Sequence, residues 1–190
     1  YKGGRSKTPG EFKEQMPYIR ELINALGVTY YELDNYEADD IIGTLAHQVD
    51  KSLFDVVILT GDRDLTQLAT EDIKVDITVK GVSEIDSYTP AFIAEKYDGL
   101  TPNQIIDMKG LAGDASDNIP GVTKIGEKTA IKLLKEFGSV EGIYEQIDTL
   151  KPSKMKQNLI NDKEQAFLSK KLATIEVNAP IDVDVNQLQY

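Results

Sequence analysis

The chain has 190 residues, 41% hydrophobic and 28% charged, which is enough apolar content for a packed core and argues against bulk disorder. With no cysteine and a single histidine, it excludes disulfides, thiolate metal sites and a multi-histidine zinc centre, and no apolar run approaches the roughly 20 residues of a membrane helix. The net charge is −11, with −9 in residues 1–100 and −2 in residues 101–190, so the acid excess is clustered and needs water or bound cations to offset its self-repulsion.

Tyr1 to Pro9 is Gly-rich and basic and reads as a loop, with no secretory signal pattern. Phe12, Met16, Ile19, Leu22, Ile23 and Leu26 recur at helical spacing, and Gly27 ends that helix. Val28 to Leu33 is rich in β-branched and aromatic residues and predicts a strand. A helix follows from about Ala38, with Ile41, Ile42, Leu45 and Val49 on one face. Asp55 to Thr60 is nearly all apolar, the pattern of a strand buried on both faces of a parallel sheet. A short helix near Leu65 to Ala69 and strands near Lys74 to Val79 and Ser83 to Asp86 come next.

From there the pattern is helical: Thr89 to Tyr97 and Pro102 to Leu111, each with a Thr-Pro start, Glu127 to Phe137, a helix begun by Gly138-Ser139, and a polar helix from Ser153 to Lys171. The tail from Ala179 reads as an edge strand or a linker. The predicted organisation is an α/β region over residues 1–100, a parallel sheet with flanking helices, followed by an all-α region over 101–190.

Two acidic clusters follow two predicted strands: Glu37, Asp39 and Asp40 after the first, Asp62 and Asp64 after the second. Ligand sites of open parallel sheets lie beyond the carboxyl ends of the strands, and right-handed crossovers bring both clusters to one edge. Five carboxylates then face one crevice, and Asp114 and Asp117 are placed to join from the helical part. Crowded carboxylates either protonate or bind hard divalent cations such as magnesium or manganese. Two such ions about 3.5–4 Å apart suit phosphodiester hydrolysis. Either cluster alone reads more readily as helix caps, and it is their combination that points to ligands.

Gly121 to Ala130 has apolar Val122 and Ile125 around a tight turn, then Gly126 at a helix start, an arrangement that turns backbone N–H groups outward toward a phosphate. Gly126 is expected to permit a backbone conformation or approach that a side chain would block. Lys124, Lys128, Lys132 and Lys135 form one stripe, either a solvated helix face or a surface for a nucleic-acid backbone. Asp62-Arg63-Asp64-Leu65-Thr66 also fits the D-x-D-x-T pattern of haloacid-dehalogenase-type phosphatases. Against that stand Gly61 between strand and Asp62, and a later acidic motif that follows a helix.

The motifs YKGGR, YEADD, ILTGDRDL and GLAGDASDNIPGVTKIGEKTA, in this order and spacing, closely resemble the 5′-nuclease family of bacterial DNA polymerase I domains, flap endonucleases and phage 5′-exonucleases. The resemblance runs from Tyr1 to about Asp184. It implies a PIN/5′-nuclease-like sheet and a helix-hairpin-helix region, with divalent-metal-dependent 5′-3′ exonuclease and flap endonuclease activity in primer removal and repair. It implies that Glu37, Asp39, Asp40, Asp62, Asp64, Asp114 and Asp117 hold two or more Mg2+ or Mn2+ ions. Lys2 and Arg5 match the basic pair that contacts the scissile phosphate. Gly121, Val122, Lys124, Ile125, Gly126, Lys128, Thr129 and Lys132 match the DNA-gripping hairpin, and the carbonyls of Val122 and Ile125 match its potassium-type ion site. The implied partner is nicked, branched or 5′-flap DNA, the implied setting a bacterial cytoplasmic monomer at the nucleoid, fused to a polymerase domain. The family's upstream strand, with two further metal-site aspartates, does not occur in this sequence, so the resemblance also admits a catalytically incomplete piece that only binds DNA.

Overall fold

In the computed structural model, residues 8–81, 83–185 and 188 are described. Lys2 and Arg5 therefore lie outside the described residues. The order is α1 (Gly10–Ala25), α2 (Ala38–Gln48), β1 (Val56–Thr60), a 3₁₀-helix (Arg63–Leu68), β2 (Ile73–Lys80), β3 (Glu84–Tyr88), α3 (Pro90–Lys96), α4 (Gln104–Ala112), α5 (Glu127–Phe137), α6 (Val140–Glu145), a 3₁₀ turn (Ile147–Thr149), α7 (Lys154–Asn161) and α8 (Lys163–Ala173). The division into an α/β part and a helical part is as the pattern of the sequence predicts.

The sheet has strand order β1-β2-β3. β1 runs parallel to β2, with Val56 opposite Ile73 and Thr60 opposite Ile77. β3 returns antiparallel, with Val75 opposite Tyr88, so the sheet is mixed where the sequence predicts a parallel one. The reason is the connection: only three residues separate β2 from β3, the Ser83 N–H donates to the Lys80 carbonyl at 3.3 Å, and only an antiparallel partner can be reached by so short a link. β2 alternates strictly, burying Ile73, Val75 and Ile77. β1 does not behave as a strand covered on both faces. Ile58 is buried, while Val57 and Leu59 are 53% and 61% exposed.

Two corrections share one cause. Val28 to Leu33 forms no strand, and α1, although helical as predicted, buries none of its residues. Strand propensity expresses fit to a pleated neighbour, and no strand among the described residues lies beside this segment. It is instead held to α1 by the Arg20–Glu32 pair at 2.5 Å, with the Arg20 guanidinium over the Tyr30 ring.

In the helical part, Thr89 caps α3 by accepting from the Phe92 N–H at 3.2 Å, and Pro90 takes the first helical position. The second Thr-Pro pair stands before α4, where the Gln104 side chain takes the Thr101 N–H at 2.9 Å. Asp107 is buried and accepts from the Val140 N–H at 2.8 Å and from Lys170 Nζ at 2.7 Å, which ties α4 to α6 and α8. The polar helix expected over Ser153 to Lys171 is two helices, broken at Asp162. Asp162 instead turns its carboxylate to the Thr123 N–H at 2.8 Å, and that tertiary bond outweighs continued helix. One contiguous apolar cluster runs from Ile58 and Leu65 through Tyr88 and Leu111 to Leu134, Ile143 and Leu159, so the two parts share a core that fixes their acidic and basic loops relative to each other.

Candidate active site and nucleic-acid interface

The first acidic cluster opens α2. The Glu37 side chain accepts from the Asp40 N–H, and Asp40 accepts in return from the Glu37 N–H at 3.0 Å, a reciprocal capping box. The other Asp40 oxygen accepts from the Glu176 N–H at 2.9 Å. The chain after α8 is thereby drawn across the start of α2, and Thr44 repeats the stitch by accepting from the Ala179 N–H at 3.0 Å. Asp40 is thus both a structural clamp and a candidate ligand.

The second cluster follows β1. Asp62 is exposed and accepts from the Asp64 N–H at 2.9 Å, capping the 3₁₀-helix. Asp64 turns inward. A cleft of about 440 Å³ is lined by Glu37, Asp39, Asp40 and Asp64, with Lys171 and Ala173 among the lining residues from the end of α8. Four of the five carboxylates expected in one crevice line it. Asp62 does not, because the cap holds it to its own helix.

The third cluster joins through a residue the sequence reading missed. Lys109, in the last turn of α4, places its ammonium between Asp64 and Asp114, at 2.8 Å from Asp114 and in direct contact with Asp64. Burial pushes the Asp64 carboxyl up, and Lys109 opposes this without reversing it. Burial also acts upward on Asp114, but hydrogen bonds from Lys109 and Ser116 and the Lys109 charge outweigh it and lower that carboxyl to about 2. The signal available in the sequence was a lone lysine five residues before Asp114. Asp117 is buried away from the cleft. Among the described residues, no group of three or more acidic or histidine side chains is placed to hold one metal ion.

The hairpin is built around two glycines set back to back. Gly113 and Gly121 both have positive φ, and a Cβ on Gly121 would stand 2.3 Å from the Gly113 nitrogen. The acidic loop and the hairpin therefore share one backbone crossing. Val122 and Ile125 are buried, and the Ile125 N–H donates to the Val122 carbonyl at 3.1 Å. From the other side, Ser169 accepts from the Gly121 N–H at 3.0 Å, Gln165 donates to the Gly121 carbonyl at 2.5 Å, and Asn158 donates to the Thr123 carbonyl at 2.9 Å. This clamp from α7 and α8 was not legible in the sequence.

Gly126 differs from the expectation for it. Its backbone is extended, so any residue could adopt it, and a Cβ would meet nothing within 4 Å. What its missing side chain provides is open access to the start of α5, which has no side-chain cap. Lys124, Lys128 and Lys132 are exposed there, and Lys135 is paired with Asp98 at 2.7 Å. Thr129 is half-buried.

The sequence model of the 5′-3′ exonuclease N-terminal resolvase-like domain matches residues 1–98, and that of the 5′-3′ exonuclease C-terminal SAM fold matches residues 100–190. DNA polymerase I of Streptococcus pneumoniae (strain ATCC BAA-255 / R6) is 60% identical over all 190 residues, and DNA polymerase I of Bacillus subtilis (strain 168) is 59% identical over the same length. The chain spans 22% of the length of each. Among solved structures, a T5 5′-exonuclease with bound divalent zinc ions superposes with a TM-score of 0.74 at 24% identity, over 91% of this chain and 64% of that one. The catalytic core of Rad2 in complex with DNA substrate gives 0.60 at 18% identity, over 94% and 57%. At these identities the structural likeness speaks for the fold.

Proposed function

The chain belongs to the 5′-3′ exonuclease family, and from that premise we propose that it is the nuclease portion of a DNA polymerase I, cleaving phosphodiesters at 5′ ends and 5′ flaps during primer removal and repair. The observation that carries this reading is the position of Asp64. It lines one cleft with Glu37, Asp39 and Asp40 and shares Lys109 with Asp114, so three separate acidic segments meet at one residue. In this reading residues 1–100 carry the main acidic site, joined by Lys109, Asp114 and Lys171 from the helical part, and residues 101–190 carry the grip on DNA. Family membership takes the place of the phosphatase reading of Asp62 and Asp64.

The donors are all carboxylates, which fit magnesium or manganese in kind. Glu37, Asp39, Asp40 and Asp64, which line the cleft, would hold the ions, with Asp114 tied to Asp64 through Lys109; Asp62 and Asp117, which do not line the cleft, are assigned to the set by resemblance. When bound, such ions supply Lewis-acid stabilisation of the charge that builds up on a phosphodiester during hydrolysis. The chain's own residues do the rest. The two backbone N–H groups on Asp40 fix the direction of its carboxylate. Lys109 balances Asp64 and Asp114 and keeps Asp114 ionised. Among the described residues Lys171 is the one lysine lining the cleft, where its charge favours a bound phosphate. Lys2 and Arg5 are assigned to the scissile phosphate by resemblance. At the hairpin, the open start of α5 and the ammoniums of Lys124, Lys128 and Lys132 receive backbone phosphates without reading sequence. A potassium-type ion on the Val122 and Ile125 carbonyls would share the Val122 oxygen with the Ile125 N–H.

A 5′-flap duplex incubated with this chain and magnesium is expected to be cut. Asp39→Asn and Asp62→Asn are each expected to lower the rate more than about 100-fold, with unchanged folding by circular dichroism. Cleavage that persists in excess chelator refutes the metal-dependent mechanism. A second reading, DNA binding without hydrolysis, is favoured by the lack of any three-acid ion site among the described residues. Salt-sensitive binding with no cutting in any divalent ion would select it.

A further inference from the structure

The lysines of the helical part divide into two sets. Lys109, Lys135 and Lys170 are ion-paired, Lys156 donates to the Asp148 and Leu150 carbonyls at 3.3 and 3.1 Å, and Lys163 lies over the Tyr144 ring. The side chains of Lys124, Lys128, Lys132, Lys151, Lys154 and Lys171 have no ion pair or hydrogen bond among the described residues. Three of these, Lys128, Lys132 and Lys151, line one cleft, of about 630 Å³, between α5 and segment 149–155. Lys128 and Lys132 are one helical turn apart on the α5 wall, and Lys151 belongs to the opposite wall. Leu133 and Met155 contribute apolar lining, and Glu136 is the one acid among the described residues there.

The second wall is braced. Lys156 holds the Leu150 carbonyl, and Ser153 accepts from the Lys156 N–H at 3.1 Å to start α7. Lys151 therefore stands on a fixed connector between two anchored residues. In a chain with 32 acidic residues against 21 basic ones, three ammoniums left unpaired around one cleft are held for a ligand of opposite charge, and two walls of like sign fit a linear polyanion between them.

We propose that the cleft between α5 and segment 149–155 is a second DNA-backbone site, in which Lys151 grips the sugar-phosphate strand from the side opposite Lys128 and Lys132. The proposal rests on the nucleic-acid reading above and adds to it a wall that the hairpin does not contain.

The test is equilibrium binding of a 5′-flap duplex in chelator, followed from about 50 to 200 mM salt. Each phosphate contact contributes about 0.9 to the slope of log K against log salt. Lys151→Ala is expected to weaken binding roughly tenfold at 50 mM salt and to flatten the slope by about 0.9, and the triple variant with Lys128→Ala and Lys132→Ala by about 2.7. The thermal midpoint of Lys151→Ala should stay at the wild-type value, since the side chain has no partner to lose. If Lys151→Ala leaves affinity and slope unchanged while Lys128→Ala lowers both, the second wall is overturned and the hairpin grip stands. If the wild-type chain shows no salt-dependent binding to DNA, the nucleic-acid reading itself fails. If polyglutamate displaces the duplex at equal charge concentration, the cleft is a site for acidic polypeptide and the proposal is overturned.

Discussion

The two parts of the chain handle their side chains in opposite ways. In the helical part the apolar residues are spent on a closed core, with Leu111, Leu134, Ile143 and Leu159 inaccessible, and the cations are left partly free. In the α/β part the acids crowd one end of the sheet while large apolar residues, Phe12, Leu22, Val57 and Leu59 among them, stay exposed. Helices close a core with neighbours nearby in sequence, whereas a sheet face needs a distant element to cover it. The contact between the parts is electrostatic as well as apolar, because Lys109 from α4 neutralises acids that follow β1 and α4.

The contrast is broken most severely at the backbone crossing of the acidic loop and the hairpin. Gly121→Ala forces a Cβ into the Gly113 backbone at a positive φ, and its cost is expected to be about 3 kcal/mol or more, read as a fall in the urea midpoint. If the variant keeps the wild-type midpoint, the two loops do not depend on one another.

Removing the shared cation comes next. Lys109→Met leaves Asp64 and Asp114 facing each other without compensation, and is expected to cost about 2 kcal/mol at neutral pH. The Asp114 carboxyl is lowered from 3.8 to about 2. A depressed acid stabilises the fold fully above its unfolded value and loses that contribution as pH falls through the folded one. The wild-type chain should therefore lose stability between pH 3.8 and about 2, and the gap to Lys109→Met should narrow over that window. A gap that widens on acidification contradicts the bridge.

The smallest expected effect on stability is at Gly126. Gly126→Ala meets no atom within 4 Å and needs no unusual φ, so the urea midpoint should move by less than about 0.5 kcal/mol. Affinity for a flap duplex should nonetheless fall several-fold, because the new methyl group occupies the approach to α5. Equal affinity would place the DNA elsewhere on the helical part.

Most of the helix spans, the Thr89 and Ser139 starts, the presence of β2 and the three acidic motifs were legible in the sequence, because each depends on residues within a turn or two of one another. The residues that complete the site were not. Lys109 becomes a bridge only when α4 packs beside the 3₁₀-helix. Asp162 ends a helix only because Thr123 lies within reach of its carboxylate, and Val28 to Leu33 stays irregular because a strand needs a partner that local composition cannot provide. Local chemistry thus decided which groups are present and on which element, while burial and long-range hydrogen bonding decided which of them meet.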